Sequence, residues 1–197
     1  MLNRIKPFVT GAFEAAAKVF AKLGFTPNWV TVMGLVLTVL AAAAVTLHLF
    51  LEAALLLVLG ALFDGLDGAL ARLTGTQSVF GGVLDSVADR YGDALIIGSI
   101  WLTMHLPALV GFTALIGSLI TSYTRARLEA AGSSSVSSVG IMERPERLIL
   151  ILVSLLFIQI ALYVFVIIAL LSNFTVIQRL VYGRAKLGGG SSQPLKS

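Results

Sequence analysis

Five long apolar stretches separated by short polar breaks run from about residue 28 to about residue 183. Their length and periodicity predict helices at about 28–50, 53–73, 79–105 and 108–131. Each is long enough to cross a bilayer core, which takes roughly 20 residues. Thr26 and Pro27 come just before the first stretch and are typical of an N-cap followed by the first helical residue.

The fifth stretch, residues 148–183, is too long for one span. As a single helix it would extend about 54 Å at 1.5 Å per residue, against a core of roughly 30 Å. We therefore predict two shorter helices that break near Gln159, although neither Gly nor Pro marks the break. The expected fold is an all-α integral membrane protein with six transmembrane helices.

The segment before these stretches, residues 3–23, has a different pattern. Its apolar residues recur at helical spacing, with Glu14, Lys18 and Lys22 between them. This pattern predicts an amphipathic juxtamembrane helix on the membrane surface, with its lysines toward anionic headgroups.

Composition and charge placement agree with a membrane protein. Of the 197 residues, 57% are hydrophobic and 12% charged, whereas soluble domains carry about 25% charged residues. With six spans and a cytoplasmic amino terminus, all 14 Lys and Arg fall on the inner side. Five spans would move Arg179 and Arg184 outside, against the positive-inside tendency. We predict a multi-pass protein of the plasma membrane whose basic face is cytoplasmic.

The same charge distribution narrows the function classes. The net charge of +4 follows from topology and attraction to anionic lipid, so no nucleic-acid partner is expected. The absence of cysteine from the sequence excludes disulfides, thiol nucleophiles and Cys-ligated metals. We expect residues 1–187 to form a single domain, with a flexible loop at 132–140 and a flexible tail at 188–197.

Four aspartates interrupt the apolar pattern where the second and third predicted spans meet. Asp64 and Asp67 are three residues apart, and Asp85 and Asp89 are four apart, so each pair shares a helix face. The short connection should bring both pairs together, and carboxylates so close require protonation or a cation. Oxygen ligands without His or Cys favour Mg²⁺, Mn²⁺ or Ca²⁺. Helix capping or ion pairing explains one such aspartate, but not four in helical register.

Small and basic residues accompany the aspartates. Gly68 and Gly81 permit a ligand to approach the backbone, or two helices to pack closely. Arg72 can neutralise a phosphate, or anchor the helix by snorkelling. A site with four carboxylates has room for two ions, an arrangement that suits displacement at phosphorus.

The pattern Asp64-x2-Asp67-Gly68-x2-Ala71-Arg72-x8-Gly81-x3-Asp85-x3-Asp89 resembles the complete signature of the CDP-alcohol phosphotransferases. The resemblance extends to the six-helix layout and the amino-terminal surface helix. It implies a homodimeric membrane enzyme that joins a CDP-linked lipid to the hydroxyl of a second alcohol and releases CMP.

The resemblance also implies roles for individual residues. Two divalent ions, Mg²⁺ or alternatively Mn²⁺, would be bound by Asp64, Asp67, Asp85 and Asp89. The CDP-lipid would be held by Thr31, Asp67, Gly68, Ala71, Arg72 and Gly81, although the Thr31 hydroxyl alternatively only packs between helices. Asp89 would also be the general base that deprotonates the acceptor.

Arginines at three predicted helix ends suggest which alcohol is accepted. Arg125, Arg147 and Arg179 lie on the predicted inner face, and guanidinium groups suit phosphate. Alternatively, these arginines only follow the positive-inside tendency, or pair with Glu143 or Glu146. The surrounding segments resemble the branch that makes phosphatidylinositol phosphate or archaetidylinositol phosphate. In that branch Arg147, Arg179 and a basic residue at the position of Arg125 (often lysine) bind the phosphate of myo-inositol 1-phosphate.

The sequence leaves three alternatives: another acceptor, another kind of enzyme and a transporter. Glycerol 3-phosphate is the alternative acceptor within the same chemistry. An intramembrane prenyltransferase also binds Mg²⁺ with aspartates, but lacks the framework of Gly68, Ala71, Arg72 and Gly81. A cation or proton transporter would distribute ionisable groups through the bilayer, whereas here they cluster at one edge.

Overall fold

The computed structural model describes residues 2–133, Val136 and residues 139–187, with side chains from Gly11 onward. The helices are α1 (Leu2–Lys22), α2 (Pro27–Thr46), α3 (Phe50–Thr74), α4 (Val79–Thr103), α5 (Ala108–Ala130), α6 (Arg144–Leu156) and α7 (Ala161–Leu187). Over the described ranges the regular structure is entirely helical, which confirms the all-α prediction. The predicted tail, 188–197, and four serines of the predicted loop lie outside the described residues.

The predicted break near Gln159 is confirmed. Phe157 leaves the helical conformation with φ −127° and ψ 69°, and a short 3-10 turn, Ile158–Ile160, separates α6 from α7. Helix α6 begins at Arg144, earlier than the apolar pattern alone suggests. Glu143 and Glu146 form a capping box there, with a proline in the first turn.

Within the described residues, three helical segments are long and apolar enough to cross a membrane: Pro27–Thr46, Phe50–Thr74 and Ile158–Leu187. They support the prediction of a membrane protein. Helix α6 has 13 residues and is therefore about 20 Å long, shorter than the hydrocarbon core. The six-span topology stays a prediction.

The described helices group into two compact units, Met1–Ile100 and Trp101–Ser197. In the first unit, glycines allow α2 and α3 to pack closely. A Cβ at Gly60 would lie 2.9 Å from Thr38 Oγ1 and 3.1 Å from the Gly34 carbonyl oxygen. This close packing sets the positions of the polar residues that α2 and α3 carry toward the site.

Helix α1 belongs to the same unit and packs its apolar face against the other helices of that unit. The Phe13 ring covers Gly65, where a Cβ would lie 2.8 Å from the ring. Lys18 and Lys22 are exposed on the other side. The buried cluster where α1 meets α2 and α3 consists of Ala17, Val30, Leu66, Ala69 and Leu70. The amphipathic pattern thus reflects packing on the protein as well as a polar outer face.

In the second unit, α5 and α7 pack through small and polar residues. The Thr121 hydroxyl is within hydrogen-bond distance of the Ser172 carbonyl oxygen, 2.9 Å. A Cβ at Gly117 would lie 2.5 Å from Asn173 Nδ2. Such small-residue contacts are typical of helices that pack in membranes.

Candidate active site

The connection from α3 to α4 is short because each helix end is locally capped. Gly75 closes α3 in the left-handed conformation, with φ 66°. Ser78 immediately precedes α4, and its hydroxyl oxygen accepts the Gly81 N–H at 2.9 Å, an N-cap arrangement. The amino-terminal end of α4 carries partial positive charge, which favours phosphate groups nearby.

Three of the four predicted carboxylates converge. Asp64 from α3 and Asp85 and Asp89 from α4 each offer an oxygen within 4.8 Å of the others, and all three are half-buried. Opposite ligands of one Mg²⁺ are about 4.2 Å apart at 2.1 Å per bond, and a larger ion spans more. The donor set and its spacing therefore fit a hard divalent cation, which would also relieve carboxylate repulsion.

Asp67 is placed differently from the other three. It is buried, at 7% exposure, and its Oδ2 accepts a hydrogen bond from the Thr31 hydroxyl at 2.5 Å. The same hydroxyl lies 3.1 Å from the Pro27 carbonyl oxygen. The shorter, charge-assisted contact favours the carboxylate. Thr31 thus fixes the orientation of Asp67 from the neighbouring helix, a role beyond plain helix packing.

A cleft of about 190 Å³ gathers the residues predicted for the nucleotide. Its walls include Thr31, Asp67, Gly68, Ala71, Arg72, Gly81 and Asp85. At Gly68 a Cβ would be 3.4 Å from Arg72 Nη1, so its absence leaves room in the cleft beside the guanidinium. The structure therefore brings every predicted CDP-lipid residue to one surface.

The cleft also contains residues that sequence reasoning missed: Asn28, Gln77 and Ser78. A Cβ at Gly81 would lie 3.1 Å from Ser78 Oγ and 3.3 Å from Asn28 Oδ1, so this glycine keeps two polar side chains close together. The serine three residues before Gly81 is an N-cap signal that was available in the sequence. Nothing in the sequence pointed to Asn28, which comes from α2.

Asp89 has a basic neighbour on its own helix. Arg90 Nη1 lies 3.5 Å from Asp89 Oδ2 and donates to the Ser86 carbonyl oxygen at 2.8 Å. The Asp89 side chain is 14% exposed. Asp93, one turn further along α4, is buried and stands outside the group of three convergent carboxylates.

In the second unit, Arg179 is buried at 2% exposure and makes three contacts with other described residues. Its Nη2 pairs with Glu143 Oε1 at 2.6 Å, and its Nε and Nη1 donate to the carbonyl oxygens of Val139 and Thr121 at 2.9 and 2.7 Å. A guanidinium has five N–H groups. Arg179 therefore has a structural role as well as a positive charge, because it links α7 to α5 and to the segment before α6.

The other two predicted arginines differ in exposure. Arg147 is almost completely buried, at 1%. The side chain of Arg125 is 42% exposed and pairs with Glu129 at 2.9 Å, one turn along α5. Both are close enough to Arg179 to repel its charge. The second unit thus gathers three guanidinium groups together with Glu143 as a counter-charge.

Comparison with known proteins agrees with this constellation. The archaetidylinositol phosphate synthase of Pyrococcus horikoshii is 43% identical over 190 residues, which cover 96% of this chain and 100% of that protein. A crystal structure of Mycobacterium tuberculosis phosphatidylinositol phosphate synthase with CDP-DAG bound has TM-score 0.81 and 28% identity, covering 93% of this chain and 98% of the other.

A second structure of the M. tuberculosis enzyme, in complex with manganese and citrate, has TM-score 0.76 and 30% identity over 87% of this chain and 88% of the other. Residues 25–178 match the CDP-alcohol phosphatidyltransferase family. Since this match covers most of the chain and includes every aspartate of the site, the chain belongs to the CDP-alcohol phosphatidyltransferase family.

Proposed function

We propose that the protein transfers a phosphatidyl-type or archaetidyl group from a CDP-linked lipid to the hydroxyl of myo-inositol 1-phosphate and releases CMP. The observation that carries the chemistry is the convergence of Asp64, Asp85 and Asp89, with Asp85 also lining the cleft of predicted nucleotide residues. The names of the similar synthases support the choice of acceptor and of lipid nucleotide.

The carboxylates would hold two divalent ions, Mg²⁺ in the first instance. Asp64, Asp85 and Asp89 provide one set of ligands, and Asp67 adds oxygen donors where it lines the cleft with Asp85. When bound, such ions neutralise the diphosphate and stabilise the departing phosphate. The manganese complex of the M. tuberculosis enzyme supports a divalent cation here.

Asp89 is proposed as the general base. It takes the proton of the acceptor hydroxyl as that oxygen bonds to the phosphorus that carries the lipid. The bond from this phosphorus to the bridging oxygen breaks, and CMP leaves with that oxygen. Asp89 lies half-buried with Asp64 and Asp85, so its carboxylate would stand beside the bound diphosphate, where a general base is needed.

The nucleotide would be held mainly by the cleft. Arg72, which lines the cleft, would contact a phosphate, and the glycines at 68 and 81 would let the nucleotide approach the backbone. The capped amino terminus of α4 adds a favourable field for the diphosphate. Thr31 contributes by orienting Asp67.

The acceptor's phosphate would be bound by Arg125, Arg147 and Arg179. Arg125 is the most available of them, because a solvent-exposed pair such as that with Glu129 is worth only about 0–1 kcal/mol and exchanges readily. Within the described residues Arg179 uses three of its five N–H groups, and the other two would bind the acceptor's phosphate. Glycerol 3-phosphate, which also carries a phosphate, is the alternative acceptor.

Mass spectrometry of the product decides between the acceptors. Purified protein is incubated with Mg²⁺, a CDP-linked lipid and either myo-inositol 1-phosphate, free inositol or glycerol 3-phosphate. We expect a lipid product and CMP only with inositol 1-phosphate. Product from glycerol 3-phosphate alone would overturn the assignment of the acceptor but keep the reaction class.

We further propose six spans, with α1 as a juxtamembrane helix, residues 1–187 as one homodimeric domain, and the site at the cytoplasmic face of the plasma membrane. Because the chain lacks cysteine, single-cysteine variants test the topology cleanly. A membrane-impermeant maleimide should label Glu52→Cys in intact cells, but label Arg127→Cys and Arg184→Cys only after lysis. Labelling of Arg184→Cys in intact cells would support five spans instead.

A further inference from the structure

In the segment that leads into α6, two consecutive backbone amides are held to α7 by one threonine. Thr175 is fully buried, and its Oγ1 accepts the N–H groups of Ile141 and Met142 at 3.2 and 3.0 Å. Its own hydroxyl proton is directed to the Leu171 carbonyl oxygen at 2.8 Å. One side chain therefore satisfies two consecutive backbone amides that precede the N-cap of α6.

The close approach of this segment to Thr175 requires a glycine at position 140. Its φ is +135°, a conformation that L side chains rarely adopt, and a Cβ there would lie 2.5 Å from Thr175 Cγ2. The backbone can wrap over Thr175 only because residue 140 has no side chain. The contact thus needs both the glycine at position 140 and the threonine at position 175.

Arg179 extends the same attachment by one helical turn. It lies four residues after Thr175, and its Nε donates to the Val139 carbonyl oxygen while its Nη2 pairs with Glu143. Together Thr175 and Arg179 bind residues 139, 141, 142 and 143 to one face of α7. Arg147 follows one turn into α6, so its position relative to Arg179 depends on this attachment.

We propose that Thr175 is a positioning residue for the acceptor site. It fixes the start of α6 on α7, so that Arg147 and Arg179 are held at the spacing that a phosphate needs. This inference rests on the proposed role of these arginines. It assigns Thr175 no contact with the substrate, since its hydroxyl is fully used by the backbone.

The test is the substitution Thr175→Val, which keeps the shape and removes the acceptor of the Ile141 and Met142 amides, with Thr175→Ser as the matched control. We expect Thr175→Val to raise the KM for the acceptor by about tenfold or more. The KM for the CDP-lipid should stay within about twofold, and Thr175→Ser should resemble the wild type. Equal changes in both KM values, or a Ser variant as impaired as the Val variant, would overturn the proposal.

Hydrogen exchange provides a readout that does not depend on turnover. In the wild-type protein the amides of Ile141 and Met142 should exchange slowly, and more slowly still with inositol 1-phosphate, whereas CDP-lipid should leave them unchanged. Fast exchange of these amides would refute the attachment even if Thr175→Val does not fold. If the wild type uses glycerol 3-phosphate instead, the proposal of inositol 1-phosphate as the acceptor is wrong. The KM values of the Thr175 variants are then compared with glycerol 3-phosphate as the acceptor, which tests the role of Thr175 in the same way.

Discussion

The Thr31 hydroxyl on α2 lies 2.5 Å from the carboxylate of Asp67 on α3, in a buried environment. This contact links the amino-terminal end of α2 to an aspartate that lines the cleft proposed for the nucleotide. A hydrogen bond to a buried charge is worth roughly 1.5–3 kcal/mol. Thr31 therefore contributes to the site through Asp67, whether or not it also touches the ligand.

Replacing Thr31 by Val tests this relationship. We expect the KM for the CDP-lipid to rise by about tenfold or more, because Asp67 loses a short hydrogen bond that helps to orient it. Steady-state kinetics with varied CDP-lipid measure the effect, and Thr31→Ser should restore most of the affinity. An unchanged KM in the Val variant would show that Asp67 is oriented by other contacts.

The Asp89→Asn variant separates catalysis from binding. We expect turnover to fall by roughly 10²–10⁴-fold, because the amide cannot accept the acceptor's proton. CDP-lipid binding, measured by titration in detergent, should change little. Arg90→Gln is the control, since it removes the neighbour at 3.5 Å but leaves the carboxylate. Near-normal turnover of Asp89→Asn would refute the assignment of the base.

Removal of the divalent cation should abolish activity. We expect EDTA to stop CMP release and either Mg²⁺ or Mn²⁺ to restore it, since the donors are carboxylate oxygens. Asp64→Asn should raise the metal concentration for half-maximal activity. Asp93→Asn alters a buried aspartate outside the convergent group and should leave that concentration unchanged. Full activity in EDTA would contradict a metal-dependent reaction.

Arg125 and Arg179 should respond differently to neutral substitution. Arg125→Gln removes only an exposed pair, so we expect a normal melting temperature and a raised KM for the acceptor. Arg179→Gln breaks three contacts of a buried guanidinium and should also lower the melting temperature by several degrees. Glu129→Gln controls for the pair itself and should keep a normal KM. A normal acceptor KM in Arg125→Gln would remove this residue from the phosphate site.

The packing of α2 against α3 predicts an effect on stability. Gly60→Ala places a methyl group 2.9 Å from Thr38 Oγ1 and 3.1 Å from the Gly34 carbonyl, which should cost about 1–3 kcal/mol. Gly98→Ala is the matched control, because nothing lies within 4 Å of its Cβ position. Thermal unfolding in detergent should show a lower melting temperature only for Gly60→Ala.

Helix positions and the aspartate pairs were largely accessible from the sequence. Apolar runs and residue spacing are local properties, so they predicted α1 to α5, the break near Gln159 and the two carboxylate pairs. The start of α6 was less visible in the apolar pattern, which begins at Leu148, because the capping box of Glu143 and Glu146 extends the helix into polar sequence.

What needed the tertiary structure is how side chains from different helices meet. The sequence by itself determined which residues carry charge and which share a helix face, because the backbone geometry of a helix sets both. It did not determine that Thr31 bonds to Asp67, that Asn28 enters the cleft, or that Arg179 is tied to Glu143. Those contacts depend on how closely and at what rotation the helices pack, which is the sum of many small contacts between distant parts of the chain.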